Sequence, residues 1–166
     1  EKAPKVSAGL IEPVVKFNPY RLNTTATRSS DEYVLRGTKT MVPAADDADL
    51  FLIYAREDDV TQAFLVPSDT PGLSISSRNK LMGINALSTH IVELEDARVP
   101  LENRIGEEAG IDFSLLLNHS RVALAAAAVG VARAGFEYSR DYSKQRVPFG
   151  EPIALRQSIA FLLADI

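Results

Sequence analysis

The sequence has no cysteine among its 166 residues, which excludes disulfides, thiolate zinc sites and a cysteine nucleophile. Its two histidines, His90 and His119, are isolated from acidic partners at ligand spacing, so we predict no metal site and no catalytic triad. Lys and Arg form no block and the formal net charge is -4, which argues against a nucleic-acid partner. No apolar run approaches the length of a membrane span and no secretory signal is visible, so we expect a cytoplasmic protein without a membrane span.

Short β-type runs separated by turn signals occupy residues 8–100. The run at residues 50–55 is continuously apolar and lies between two acidic clusters, residues 46–47 and 57–59, which we interpret as solvent-exposed loop tips. The polar stretch at residues 28–31 is typical of a hairpin turn. Runs of this length, recurring about every ten residues, predict an antiparallel β-barrel or sandwich.

The rest of the sequence has a helical pattern. A charged, glycine-containing connector at residues 101–110 precedes a predicted helix at residues 112–144. Two apolar stripes recur in it at helical spacing, one containing Leu124 and Val131 and the other containing Val122 and Val129. Two stripes predict a helix that is covered on more than one side, as in the middle of a bundle. The prolines and the glycine within residues 148–152 end this helix, and a second helix is predicted from about Ile153.

The predicted fold class is therefore α+β, with a β-domain at residues 1–105 and a partial bundle of two helices at residues 106–166. The second helix continues to Ile166 without a Gly, Asn or Pro stop signal, so we expect the chain to be truncated there. Two helices cannot cover both apolar stripes. The missing helical partners are expected to come from further chain or from other subunits.

The sequence contains no Gly-x-Gly-x-x-Gly, P-loop or Gly-x-Ser-x-Gly motif. Two other groups of residues are candidates for ligand binding. Arg121 lies between the apolar faces of the long helix, where a desolvated guanidinium requires an anion, either a structural carboxylate or a ligand. Arg146 and Phe149, followed by Arg156 and Gln157, form the other group. Arg146 is either a helix-end charge, favoured by about 0.3–1 kcal/mol, or part of a surface for a pyrophosphate and an adenine ring.

Four stretches in the correct order resemble the acyl-CoA dehydrogenase family. Residues 142–166, YSKQRVPFGEPIALRQSIAFLLADI, resemble its Arg-x-x-Phe-Gly…Gln…Ala-Asp signature. Residues 10–13 resemble its Thr-Glu-Pro segment, and residues 31–39 resemble its Gly-Tyr-x-Leu-x-Gly-x-Lys hairpin. Met82-Gly83 followed by residues 94–103 resembles its Asp-Val-x-Val-Pro-x-x-Asn boundary.

The resemblance implies a flavoprotein that holds FAD between subunits and removes hydrogen from the Cα and Cβ atoms of an acyl-CoA thioester. Arg146 and Phe149, with Gln157 nearby, would contact the FAD of a neighbouring subunit, which implies a homo- or hetero-oligomer, either a dimer or a tetramer. Arg121 matches a helix position near bound acyl-CoA. An electron-acceptor flavoprotein is a further expected partner.

The resemblance also identifies positions where the β-domain departs from the family. Its flavin-contacting positions correspond to the following residues: Leu10, Ile11, Phe17, Met41, Val42 and Pro43. Ile11 stands where a Thr is usual, Lys16-Phe17-Asn18 replaces Gly-Ser-Asp, and Met41-Val42-Pro43 replaces Trp-Ile-Thr. Each lost hydrogen bond to the flavin would cost about 0.5–1.5 kcal/mol, and Pro43 has no backbone donor.

No catalytic residue is predicted within this chain. The family's catalytic base is a Glu, and one subgroup carries it immediately before the helix arginine, where this sequence has Ser120. The more common location lies beyond Ile166. Two alternatives to a dehydrogenase are therefore kept: a non-catalytic partner subunit with a degraded flavin site of its own, and a flavin-dependent monooxygenase of the same fold.

Overall fold

The computed structural model describes residues 3–83, 85–106 and 109–166. The chain divides into two compact units, Glu1–Phe113 and Ser114–Ile166. The predicted domain boundary at residues 105 and 106 stays a prediction. Residues 107 and 108 of the predicted connector lie outside the described residues.

The first unit contains one seven-stranded sheet. Its strands are β1 (Val6–Gly9), β2 (Thr25–Ser29), β3 (Glu32–Pro43), β4 (Leu50–Glu57), β5 (Val60–Pro67), β6 (Leu73–Ile75) and β7 (Thr89–Pro100). The long strand β3 pairs with β2 on one edge and with β7 on the other, and both pairings are antiparallel. Strand β4 pairs along its length with β5, while its opposite edge holds β1 at its start and β2 at its end.

The predicted antiparallel arrangement holds for most of the sheet, and two pairings are parallel. Residues 6–9 of β1 run parallel to residues 50–53 of β4, and Thr25 of β2 makes a parallel pairing with Arg56 at the other end of β4. The remaining pairings are antiparallel, and the predicted hairpin turn before Glu32 joins β2 to β3. The α+β class, with strands first and two helices after them, is confirmed.

Alternation along the strands produces the hydrophobic core, because successive side chains of a strand point to opposite sides of the sheet. Leu35, Phe51, Ile53, Phe64 and Val92 are fully buried and form its centre. At about 25 cal/mol per Å² of apolar surface, each of these side chains contributes roughly 1.5–3 kcal/mol on burial. The sheet therefore forms a stable platform for the segments that connect its strands.

Two acidic residues of the predicted loop tips, Asp46 and Glu57, take part in specific interactions. Glu57, at the end of β4, accepts hydrogen bonds from Tyr33 Oη at 2.8 Å and from Arg104 Nε at 2.7 Å. The Glu57 and Arg104 side chains expose only 18% and 12% of their surface. Asp46 lies 3.2 Å from Nε2 of the buried His90. The prediction of a solvent-exposed loop tip was therefore wrong for Glu57, whereas Asp46 is 56% exposed as predicted.

The second unit contains most of α1 (Phe113–Gln145) and all of α2 (Gln157–Ala164). A 3-10 turn at Ile153–Leu155 precedes α2, so the second helix begins four residues later than predicted. Leu124 and Val131 of one predicted stripe and Val122 and Val129 of the other are 68–75% exposed, so neither stripe is covered. By length and composition alone α1 also qualifies as a candidate membrane-crossing helix, as core helices of soluble proteins do, and the absence of a span stays a prediction.

Candidate functional site

Glu12 lies at the start of the long connection between β1 and β2, and its side chain closes that connection into a loop. One carboxylate oxygen accepts a hydrogen bond from the backbone N–H of Asn23 at 2.8 Å, and the other accepts one from the backbone N–H of Thr24 at 2.8 Å. The intervening residues 13–22 are therefore held at both ends. The Glu12 carboxylate is buried, with only 3% of the side chain exposed.

Lys39 of β3 provides the charge that balances this carboxylate. Its side chain is fully buried, and its ammonium donates to Glu12 Oε1 at 3.0 Å and approaches the carbonyl oxygen of Leu10 at 3.4 Å. Gly9 makes room for the lysine stem, since a Cβ atom at Gly9 would lie 3.1 Å from Lys39 Cγ. Leu10, Glu12 and β3 are thus joined through one buried cation.

Burial and pairing act on the two charges in different ways. Burial lowers the pKa of Lys39 from 10.5 to about 8, although the hydrogen bond and the attraction of Glu12 oppose this shift. Burial would raise the pKa of Glu12, but hydrogen bonds from Thr24 and Asn23, with that from Lys39, lower it below 4.5. Near neutral pH both groups are charged. Removing one partner of such a pair leaves an uncompensated buried charge, which typically costs about 3–5 kcal/mol.

A β-bulge directly after Lys39 brings the next residues toward the same segment. Lys39 lies opposite Val92 and Val42 lies opposite His90, so β3 carries one extra residue between these pairs. The backbone N–H of Thr40 donates to the carbonyl oxygen of Ile11 at 2.8 Å. Met41 follows with a φ of 55°, a left-handed conformation that is strained for a side chain of its size.

The structure brings together most of the β-domain positions at which flavin contacts are expected. Residues 10–12 lie against residues 39–40, so Leu10 and Ile11 are close to the bulge that carries Met41. Ile11 and Met41 expose 43% and 39% of their surface, whereas Val42 is fully buried in the core. Only backbone atoms of Val42 could therefore contact a ligand.

Phe17 and Pro43 are separate members of the same predicted set. Phe17 is half-buried in the closed loop at residues 13–22. Pro43 ends β3, and its carbonyl oxygen accepts a hydrogen bond from Ser7 Oγ. The Pro43 carbonyl is therefore already used within the sheet.

These positions fit the flat, apolar face of a flavin ring. The exposed side chains of Ile11 and Met41 supply an apolar surface beside the main chain of two fixed segments, and ligand pockets are lined mainly by such groups. The polar edge of the ring would be met by main-chain groups, because Ile11, Met41 and Pro43 offer no side-chain hydroxyl. The β-domain residues are thus compatible with FAD, with fewer side-chain hydrogen bonds than the family pattern supplies.

The other predicted FAD contacts lie in the second unit, in the turn between α1 and α2 and at Gln157, the first residue of α2. Arg146 follows the end of α1, and its carbonyl oxygen accepts a hydrogen bond from the backbone N–H of Ile153 at 2.9 Å, which closes the intervening turn. Phe149 is 78% exposed, and the guanidinium of Arg156 lies 5.0 Å from the centre of its ring. Arg146, Arg156 and Gln157 are all exposed. This turn presents two cations, an aromatic ring and an amide on one short segment.

Arg121 lies on α1 and is exposed in this chain, and its predicted contact with an anion stays a prediction. In the part of the chain that the structure describes, it has no carboxylate within ion-pair distance. Its neighbour Ser120 donates its hydroxyl hydrogen to the carbonyl oxygen of Leu116 at 3.1 Å. Arg121 is therefore available to an anion, and Ser120 is engaged with its own helix.

Glu12 and Lys39 belong to two of the sequence motifs, but the sequence did not predict that they form a buried ion pair. Strand periodicity carried the signal for Lys39: Tyr33 and Leu35 point inward, and the period of two places Lys39 on the same side of β3. A lysine at an inward strand position requires a buried anion. In this chain Glu12 is that buried anion.

The comparisons with known proteins agree with this architecture. The family sequence pattern described as "Acyl-CoA dehydrogenase, middle domain" matches residues 7–97, and that described as "Acyl-CoA dehydrogenase, C-terminal domain" matches residues 112–166. The probable acyl-CoA dehydrogenase YngJ of Bacillus subtilis is 37% identical over 168 residues, which cover 96% of this chain and 44% of that protein. The chain thus spans less than half the length of this curated relative.

Solved structures give the same result. Butyryl-CoA dehydrogenase from Megasphaera elsdenii superposes with a TM-score of 0.81 at 34% identity, covering 98% of this chain and 44% of that one. A glutaryl-CoA dehydrogenase from Mycobacterium smegmatis, in complex with FADH2, superposes with a TM-score of 0.85 at 29% identity. That comparison covers 98% of this chain and 42% of that one.

Proposed function

The chain belongs to the acyl-CoA dehydrogenase family, and from that premise we propose that it is part of an FAD-dependent enzyme that dehydrogenates an acyl-CoA thioester between Cα and Cβ. The observation that carries this proposal is the turn between α1 and α2. Arg146 and Phe149 of this turn, and Gln157 at the start of α2, match the family signature and are exposed, as contacts to another subunit's cofactor require. The active form would therefore be an oligomer.

Each exposed group of this chain has a chemical role that suits the proposal. A guanidinium matches the geometry of a pyrophosphate, so Arg146 would bind the diphosphate of FAD while Phe149 lies against a heterocyclic ring. Arg121 would bind the acyl-CoA near the reacting carbons. FAD, when bound, supplies the acceptor for the hydride that leaves the Cβ atom.

Removal of the α-proton requires a base, and Ser120 does not supply it. The Ser120 hydroxyl keeps its proton near neutral pH and donates it to the carbonyl oxygen of Leu116, so it cannot accept the α-proton as a carboxylate would. We propose that a Glu elsewhere in the whole protein acts as the base. An acceptor flavoprotein would take up the electrons that the reaction removes from the substrate.

The proposal is tested with the whole protein purified in the presence of FAD. We expect a flavin absorption band that bleaches on anaerobic addition of acyl-CoA thioesters of different chain lengths. Arg146→Ala should weaken FAD binding by about tenfold or more, because a charge-assisted hydrogen bond contributes about 1.5–3 kcal/mol. Arg133→Ala is the matched control, since Arg133 is likewise an exposed arginine but lies within α1, where it pairs with Glu137. Protein that holds no flavin and shows no bleaching refutes the proposal.

A second candidate is a non-catalytic subunit that completes the FAD site of a sister chain. It is favoured by the β-domain residues Ile11, Phe17 and Pro43, which remove the usual hydroxyl partners of the flavin, while Arg146 and Phe149 keep the family pattern. Counting FAD per assembly after co-expression with a sister subunit distinguishes the two. One flavin per two chains supports this candidate, and one flavin per chain supports the dehydrogenase with a site in every subunit.

A further inference from the structure

We propose that the buried Glu12–Lys39 pair is the positioning element for FAD on the β-domain, an inference that rests on the proposed function. The pair lies at the contact between two segments that are expected to face the flavin. One segment is residues 10–12 and the other is the bulged part of β3 at residues 39–43. Neither charged group is exposed to contact the cofactor, so the pair acts through the segments that it holds.

Three contacts join the two segments, and Lys39 makes two of them. Its ammonium bonds to Glu12 and approaches the carbonyl of Leu10, and the backbone N–H of the next residue, Thr40, donates to the carbonyl of Ile11. Three successive residues of the first segment are thus fixed to two successive residues of β3. Residues 10 and 11 cannot slide along the strand without breaking at least one buried polar contact, which is costly in a desolvated site.

Glu12 extends this arrangement to the loop that carries Phe17. Its two carboxylate oxygens accept from the backbone of Asn23 and Thr24, which places both ends of residues 13–22 beside Lys39. The Glu12–Lys39 ion pair therefore holds every segment of the expected flavin surface in the β-domain, some through Glu12 and the others through β3.

This positioning matters more here than it would with the usual hydroxyl residues. A side-chain hydroxyl rotates to meet its partner, whereas a main-chain N–H or C=O points where the backbone holds it. Because Ile11 and Pro43 leave the polar edge of the flavin to main-chain groups, the affinity for FAD depends on how accurately the backbone of both segments is held.

The test measures FAD affinity and thermal stability of the whole protein in its native assembly. Lys39→Met leaves Glu12 charged and unpaired, and we expect it to lose stability and FAD affinity together. The neutral double variant Glu12→Gln with Lys39→Met removes both charges while the glutamine amide still accepts a backbone hydrogen bond. It should regain a large part of the lost melting temperature, yet bind FAD about tenfold more weakly than the wild type.

The matched control is the double variant Glu57→Gln with Arg104→Met, which removes a different ion pair, the half-buried one between Glu57 and Arg104. It should lower the melting temperature without changing FAD affinity. Gly9→Ala keeps both charges but places a Cβ 3.1 Å from Lys39 Cγ, and it should also weaken FAD binding.

The outcomes separate this inference from the proposed function. Wild-type protein that binds no FAD overturns the proposed function and the inference with it. Wild-type FAD affinity in the Glu12/Lys39 double variant overturns only the positioning role, because the fold then tolerates the loss of the pair without effect on the cofactor. An equal loss of affinity in the Glu57/Arg104 control also overturns it, since the effect would then follow general stability.

Discussion

Lys39 should make the stability of this protein increase with pH above neutrality. Its pKa is about 8 in the folded chain and near 10.5 in the unfolded chain. Below pH 8 the ammonium is charged in both states, and the full cost of burying the charge is present. Between these two values the unfolded chain binds more protons than the folded chain, so the free energy of unfolding rises with pH. Above pH 10.5 the dependence ends.

The magnitude follows from the two pKa values. A pKa lowered from 10.5 to about 8 corresponds to a total on the order of 3 kcal/mol. The larger part of this rise should occur between pH 7 and pH 10. Glu12, whose pKa is lowered from 4.5, stays ionised throughout this interval and adds no slope. This increase in the free energy of unfolding is large relative to the 5–15 kcal/mol that typically separates a folded domain from its unfolded state.

The measurement is urea denaturation of the wild type and of Lys39→Met at several pH values from 7 to 10. Tyr33 and Tyr54, whose pKa values are raised chiefly by burial, titrate in both proteins. Their contribution therefore cancels when the two free energies of unfolding are subtracted. The difference between wild type and variant should increase by about 2–3 kcal/mol in favour of the wild type. A difference that is flat or that falls with pH would show that burial does not lower the pKa of Lys39.

Two further substitutions test the packing of the first unit. Gly37→Ala should destabilise the protein by about 1–3 kcal/mol, because φ is +144° and a Cβ would lie 2.7 Å from the Cα atom of the residue before β2. Gly83→Ala is its control, since a Cβ there meets nothing within 4 Å, and an equal effect of both changes in urea denaturation would contradict the explanation. Phe113→Ala should cost about 3–5 kcal/mol, because the buried ring packs at 5.6 Å centroid distance against both Tyr20 and Tyr54; a loss below 1 kcal/mol would contradict it.

The strands and the long helix could be predicted because their signals are local. Residues 50–55 are apolar without interruption, and they form most of β4. The helix predicted at residues 112–144 differs from α1 by one residue at each end. Both patterns depend only on neighbours a few positions away.

Interactions between distant residues account for most of what was missed. The parallel pairing of β1 with β4 joins residues 6–9 to residues 50–53, and no local pattern specifies a partner so far along the chain. Glu57 was interpreted as a loop tip because Asp58 and Asp59 follow it, yet Arg104 and Tyr33 give it a half-buried position. The uncovered stripes of α1 belong to the same class, since a pattern shows that a face is apolar and not what contacts it.

The parallel pairing of β1 also has a consequence for the order of folding. The β4–β5 hairpin joins residues that are close in sequence, so it can form early, whereas β1 must close a long loop before Val6 meets Leu50. That closure costs about 3 kcal/mol of chain entropy by the usual logarithmic dependence on loop length. Residues 10–12 follow β1 directly, so they reach Lys39 only after this late step. During refolding, residues 10–12 should therefore reach Lys39 after the β4–β5 hairpin has formed.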